Sequence, residues 1–207
     1  MSISTYSELQ SAISDWLNRD DLSSVVPTFI SLAEARINRE LRHFDMEARS
    51  SLTLDGRYVD VPADWAETIR LHAQASGVTY DLELVSQNDM AQMRESSADA
   101  TGRPQFYALT AGQIEVFPTP GETYTGELVY YARIPSLSDS NTTNWLLTKY
   151  PDVYLYGALV HTGPYLDEDA RTTTWAALYQ SAVDAANMES DKAKYSGTGL
   201  RMMIRSY

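Results

Sequence analysis

The stretch from Asn144 to Ala186 limits the fold more than any other part of the chain. From Asp152 to His161 its residues are apolar or aromatic almost all round. Pro151 stands just before them, where a first helical turn accepts a residue that lacks an N–H. A helix with no polar face is buried, in a core or against a partner. Gly163-Pro164 ends this run. A second helical run is predicted to start near Asp167-Glu168-Asp169, whose carboxylates suit the positive end of a helix dipole. It carries Trp175, Leu178, Ala182, Val183 and Ala186 on one stripe. Together these runs predict a helical hairpin at the centre of the fold.

Taken from its start, the chain opens with Thr5-Tyr6-Ser7-Glu8, which has the form of a capping box. Leu9, Ile13, Trp16 and Leu17 follow at helical spacing. A second helix is predicted from Pro27, with Ile30, Ala33, Ile37 and Leu41 as its apolar stripe. Arg36, Arg39 and Arg42 lie off that stripe, as a solvated face or as one that meets an acidic partner. From Met46 the period changes to that of strands. Asp55-Gly56 is a two-residue hairpin signal, with Tyr58, Val59 and Val61 as the return strand. Residues 68–73 and 79–84 read as a strand pair turning at Gly77. Ser86-Gln87-Asn88-Asp89 caps a short helix reaching Arg94. Residues 106–109 and 113–117 make a hairpin about Ala111-Gly112, and residues 124–132 a long strand. A serine-rich linker over 135–143 returns to the central hairpin.

The expected fold is therefore α+β. A bundle of about four helices comes from residues 1–45 and 136–190, with an inserted small antiparallel sheet or barrel over 46–135. Residues 191–207 are expected to be an extended C-terminal tail. A chain of 207 residues is long enough for one domain with an insert, or for two small domains.

Composition excludes several classes of function. There is no cysteine, so disulfides, thiolate zinc sites, iron–sulfur clusters and thiol nucleophiles are all out. The N-terminal residues carry no basic and apolar leader pattern, and no apolar run approaches the roughly 20 residues that span a bilayer. The net charge of −12 disfavours a chain that grips DNA. The 14 tyrosines are suited either to buried protein contacts or to half-buried strands.

No motif asks for an enzyme. The histidines His43, His72 and His161 fall in different elements, without the spacing of a helical metal site. His161, inside an apolar helix, reads better as a satisfied core residue than as a ligand. Helix capping explains Asp167-Glu168-Asp169 better than cation binding does. Gly197-Thr198-Gly199 lacks the strand and helix that frame a phosphate loop. No catalytic residue, cofactor or metal is expected.

Four stretches taken in order are more specific than any motif alone. They are residues 5–19, residues 27–39, and Gly102-Arg103-Pro104 through Pro118-Thr119-Pro120. The last is Tyr130-Tyr131-Ala132-Arg133-Ile134-Pro135-Ser136-Leu137 with Asn144-Trp145-Leu146-Leu147 and residues 150–157. In this order the chain resembles the head-to-tail adaptor (head-completion or connector) proteins of tailed bacteriophages. The resemblance implies a non-enzymatic virion protein at the head–tail junction, assembled in the host cytoplasm. It would form a homo-oligomeric ring, commonly of twelve copies, under the portal protein. It would join the portal to a nozzle or tail-tube protein and let DNA pass without sequence-specific binding. No membrane contact is implied.

Two other readings attach to the insert. One is an additional cell-wall hydrolase activity, recruiting Glu67, Asp81 and Glu83 as carboxylates. The other is a carbohydrate-binding module with Trp65 and tyrosines as stacking platforms. The tail, finally, carries no acid after Asp191, while Lys192, Lys194, Arg201 and Arg205 follow. Its end reads as a portal- or subunit-docking peptide made of Leu200, Arg201, Met202, Met203, Ile204, Arg205 and Tyr207. The bland alternative is a tail folded onto its own acidic body, or frayed.

Overall fold

The computed structural model describes residues 3–19, 21–97, 100–166 and 171–196. In chain order the first elements are α1 (Tyr6–Leu17), α2 (Val26–Glu40), a 3-10 turn (Phe44–Met46), β1 (Glu47–Leu54), β2 (Tyr58–Asp60) and β3 (Trp65–Ala75). Then come β4 (Val78–Asp81), β5 (Glu83–Leu84), α3 (Gln87–Ser96), β6 (Thr101–Gly102), β7 (Phe106–Thr110) and β8 (Gln113–Phe117). The last are β9 (Thr119–Pro120), β10 (Tyr124–Ala132), α4 (Trp145–Lys149), α5 (Pro151–Thr162) and α6 (Thr172–Tyr195). The fold is mixed α+β, as expected. The chain forms two compact units, Met1–Met46 with Ile134–Tyr207, and Glu47–Arg133.

The first unit is helical, and α5 is its axis. Val153, Tyr154, Leu155, Ala158 and Leu159 of α5 are buried on several sides, because α1, α2, α4 and α6 all pack against it. At Gly157 the helices come closest. A Cβ there would lie 3.2 Å from the Tyr179 ring and 3.3 Å from the Ala33 Cβ. The expected box at α1 is complete: Thr5 Oγ1 accepts the Glu8 N–H, and Glu8 Oε2 accepts the Thr5 N–H. The helix expected from Pro151 forms as α5, and the short α4 before it is separated from it at Tyr150. The residue before a proline is pushed out of the α region, and Tyr150 has φ −133° and ψ 61°.

Three expectations for this unit need correction. Trp16 is not a core residue but 45% exposed. On α6 the core position belongs to Tyr179, while Leu178 is 38% exposed; the two side chains point about 100° apart on a helix. The tail does not begin at Asp191, because α6 runs through Tyr195. Lys192 and Lys194 favour that longer helix at the negative end of its dipole. The predicted start at Asp167-Glu168-Asp169 lies outside the described residues.

The second unit holds two four-stranded sheets, ordered β1-β10-β3-β4 and β2-β8-β7-β5. Leu52, Leu54, Leu71 and Leu128 from the first sheet and Val59, Tyr107, Ile114 and Val116 from the second share one core. α3 covers the other face of the second sheet through Met90, Ala108 and Phe117. Hence β8 is buried on both faces. All sheet pairings are antiparallel except two short parallel ones, β5 with β7 and β6 with β9.

The hairpin expected at Asp55-Gly56 does not form. β1 pairs with β10 over its whole length, and β2 pairs with β8. A type I′ turn needs positive φ at both central residues, and neither Asp55 nor Gly56 has it. Ser76-Gly77 (φ 50° and 81°) and Ala111-Gly112 (φ 50° and 80°) do, and these are the turns of β3–β4 and β7–β8. The partner strand expected over 79–84 divides at Leu82. Its first part pairs with β3, and its second part, β5, pairs with β7 in the other sheet.

Candidate functional site

The proposed docking residues Leu200, Arg201, Met202, Met203, Ile204, Arg205 and Tyr207 lie outside the described residues. Of the carboxylates suggested for a hydrolase, Glu67 and Asp81 are not assembled as a pair, while Glu83 follows two residues after Asp81 at the start of β5. Glu67 sits opposite Tyr131 and Asp81 opposite His72. Along β3 these levels are five residues apart, about 16 Å, beyond the spacing at which two carboxyl groups share one glycosidic bond. Trp65 is half-buried against the core of its unit, and its Nε1 donates to Thr68 Oγ1 at 3.1 Å. It is a packing residue rather than an open stacking platform. Among the described residues no three histidines or carboxylates gather as metal ligands would.

A pair of polar knots, which no local sequence pattern marks as a whole, ties the helical unit together. In the first, Glu34 is buried and its Oε1 accepts the Leu137 N–H at 2.7 Å and the Tyr154 hydroxyl at 3.4 Å. Asn144 Nδ2 donates to that same hydroxyl at 2.7 Å and to the Pro135 carbonyl at 2.8 Å. Burial raises the Glu34 pKa above its ordinary 4.5, against the lowering effect of the Leu137 amide. The knot pins the serine-rich linker to α2 and α5. Its members stand far apart in sequence, so only the N-cap role of Asn144 carries a local signal.

The second knot centres on His43, which is 1% exposed. Its ring stacks on Trp145 at 5.2 Å and lies 4.4 Å from Phe44. The Tyr150 hydroxyl donates to Glu189 Oε2 at 2.9 Å, so at 3.2 Å it accepts from His43 Nε2. His43 Nδ1 accepts the Asp45 N–H at 3.2 Å. This network assigns the proton to Nε2. Lys149 closes the group on Asp45 at 2.6 Å. Burial lowers the His43 pKa, and burial with the Glu189 carboxylate pushes Tyr150 up to about 12. Both knots are structural.

His161 also departs from expectation. It is half-buried, and its Nε2 is enclosed without a hydrogen-bond partner.

The helical unit carries aromatic and apolar side chains at its surface. Trp16 meets Tyr156 edge-on at 5.7 Å, and Tyr165 meets Phe29 edge-on at 5.5 Å. Leu32, Leu178, Met188 and Tyr195 are further exposed apolar side chains. Exposed aromatic and apolar side chains at this density suit protein contacts. Among the described residues no helix is long and apolar enough to cross a membrane.

No curated protein matches the chain. A family model described as SU10 adaptor protein matches residues 4–202. That span takes in the capped first helix, both strand-rich sheets, the apolar α5 and its knots, and the chain belongs to the SU10 adaptor protein family, a family of phage head-to-tail adaptors.

Proposed function

We propose that the chain is a structural virion protein, twelve copies of which close a ring beneath the portal protein and connect it to a nozzle or tail-tube protein. The observation that carries this reading is the family match over residues 4–202. A ring made of one chain needs two different contact faces, one for each neighbour. Exposed apolar side chains on α1, α2 and α6 supply candidates. The charge of −12 supports a DNA channel, because carboxylates repel phosphates and leave the duplex free to slide. The arm at Leu200, Arg201, Met202, Met203, Ile204, Arg205 and Tyr207 docks on the portal or on a neighbouring subunit. Its apolar side chains supply contact area, and its arginines meet carboxylates. The protein is assembled in the host cytoplasm and works at the head–tail junction without an enzymatic step.

The test is reconstitution. Purified chain is mixed with purified portal rings of the same virus and imaged by electron cryomicroscopy. The expected result is a twelvefold ring under the portal with an open axis. An undecorated portal beside free chain overturns the proposal.

A further inference from the structure

We propose that the outer face of α2 in one copy packs in parallel against the outer face of α6 in the next, with Arg39 meeting Asp184; this inference rests on the ring reading above. Both helices bury one stripe against α5 and leave the opposite stripe uncovered. On α2 the uncovered stripe is Thr28, Ser31, Leu32, Ala35 and Arg39, with Leu32 47% exposed. On α6, Ala177, Ser181, Asp184, Ala185 and Met188 line a shallow groove, with Met188 57% exposed. Small side chains at the middle of each stripe allow two helix axes to approach closely, while Leu32 provides apolar area.

Charge selects the partner as a second copy of this chain. Arg36 is already paired with Glu40 at 2.9 Å, but Arg39 has no ion pair among the described residues. Asp184 accepts the Gln180 amide at 2.9 Å and meets no cation among the described residues. One face thus offers an unmatched cation and the other an unmatched anion.

Direction agrees. Arg36 lies over the Tyr179 ring at 4.4 Å, Asn187 Oδ1 accepts the Arg42 N–H at 2.9 Å, and Ser190 Oγ accepts the Phe44 N–H at 2.9 Å. These contacts step forward together, so α2 and α6 run the same way within one copy. With the ring axis set along the bundle, as proposed, rotation keeps them parallel between copies. With Arg39 opposite Asp184, equal helical rise brings Ala35 level with Gln180 and Ser181, and Leu32 level with Ala177 and Leu178. Such a contact is heterologous, the kind that closes a ring.

The chain has no cysteine, which makes a direct test clean. The double variant Arg39→Cys/Asp184→Cys is assembled on portal rings and treated with a short bis-maleimide, which spans the gap of an arginine–aspartate pair where a disulfide, limited to a Cα separation of roughly 4.4–6.8 Å, does not. A covalent ladder reaching a closed ring is expected. Each single variant should stay monomeric on a denaturing gel, and a mixture of the two singles should stop at dimers. Independently, Arg39→Glu should lower ring yield about tenfold, and Arg39→Glu/Asp184→Arg should restore it to within about threefold. Normal rings that give no ladder and ignore Arg39→Glu overturn this contact and leave the ring reading standing. Wild-type chain that forms no ring on the portal overturns both.

Discussion

Single residues show how tightly the helical unit is built. At Gly157, alanine would gain about 1 kcal/mol of helix propensity. Its Cβ would also press on the buried Tyr179 ring and on the Ala33 Cβ, and such overpacking costs about 1–3 kcal/mol. Tyr179 is fully buried, and the Ala33 Cβ is fixed to its backbone. Gly157→Ala should therefore lower the melting temperature by about 2–4 °C in a chain of this size; a rise would mean that the three helices have slack. His161 is the opposite case, since its buried Nε2 has no partner. Burial lowers its pKa, and the charges of Arg36 and Arg39 lower it further. The folded chain then binds fewer protons than the unfolded one just below the ordinary value of 6.5, so stability falls as pH drops through that value. His43 acts in the same sense through its own burial. Glu34 acts in the opposite sense. Its folded pKa is raised above 4.5, so what it costs at neutral pH is recovered as pH falls through that raised value. His161→Leu removes the stranded nitrogen. It should stabilise the protein by about 1 kcal/mol at neutral pH and flatten the loss of melting temperature on acidification to about pH 5. Superimposable melting profiles for variant and parent across that range would rule this out.

Elements separate what is local from what is not. The strands around Ser76-Gly77 and Ala111-Gly112 depend on positive φ, so Gly77→Ala and Gly112→Ala should each cost about 1 kcal/mol in chemical denaturation. Gly56→Ala should cost nothing measurable, because no atom lies within 4 Å of the added Cβ and φ is not positive there. Equal losses at all three positions would contradict the assignment of turns. Asp55-Gly56 misleads for a physical reason. A turn dipeptide offers a local preference, whereas β1 gains an eight-residue ladder by pairing with β10 instead. Caps at Thr5 and Ser86 were legible because donor and acceptor lie three residues apart. The apolar character of α5 was legible for the same reason, since it needs no partner to be recognised. Its neighbours on α1 and α6 were harder. The predicted stripe holds Leu178 and not Tyr179, yet the tyrosine ring fills the space beside Gly157. The tail predicted from Asp191 takes in the last turn of α6, where lysines near the helix C-terminus favour the helix.

At the scale of the whole molecule, the family was legible from the order of several stretches, while the contact faces were not. Docking surfaces on the bundle depend on which flank each helix leaves uncovered, and that is decided by long-range packing around α5. The end of the chain was legible only as composition: Leu200, Met202, Met203, Ile204 and Tyr207 with two arginines, on a protein of net charge −12. If this segment is a docking arm, its affinity is spent on another surface and not on the bundle core. The bundle core among the described residues is already closed by α5, α2 and α6 and by the knots at Glu34 and His43. Deleting residues 199–207 should then leave the melting temperature of the free protein within about 1 °C, well inside the shift that a loss of 1 kcal/mol produces. The same deletion should abolish assembly onto portal rings, read by co-sedimentation. The full-length chain should be monomeric or weakly associated in sedimentation velocity at low micromolar concentration and enter the ring when portal is added. Three results discriminate. Normal ring assembly by the truncated chain removes the arm from the interface. A large fall in melting temperature places residues 199–207 on the protein's own core. A tight ring of full-length chain without portal shows that contacts between subunits alone suffice, and the arm then only secures the portal.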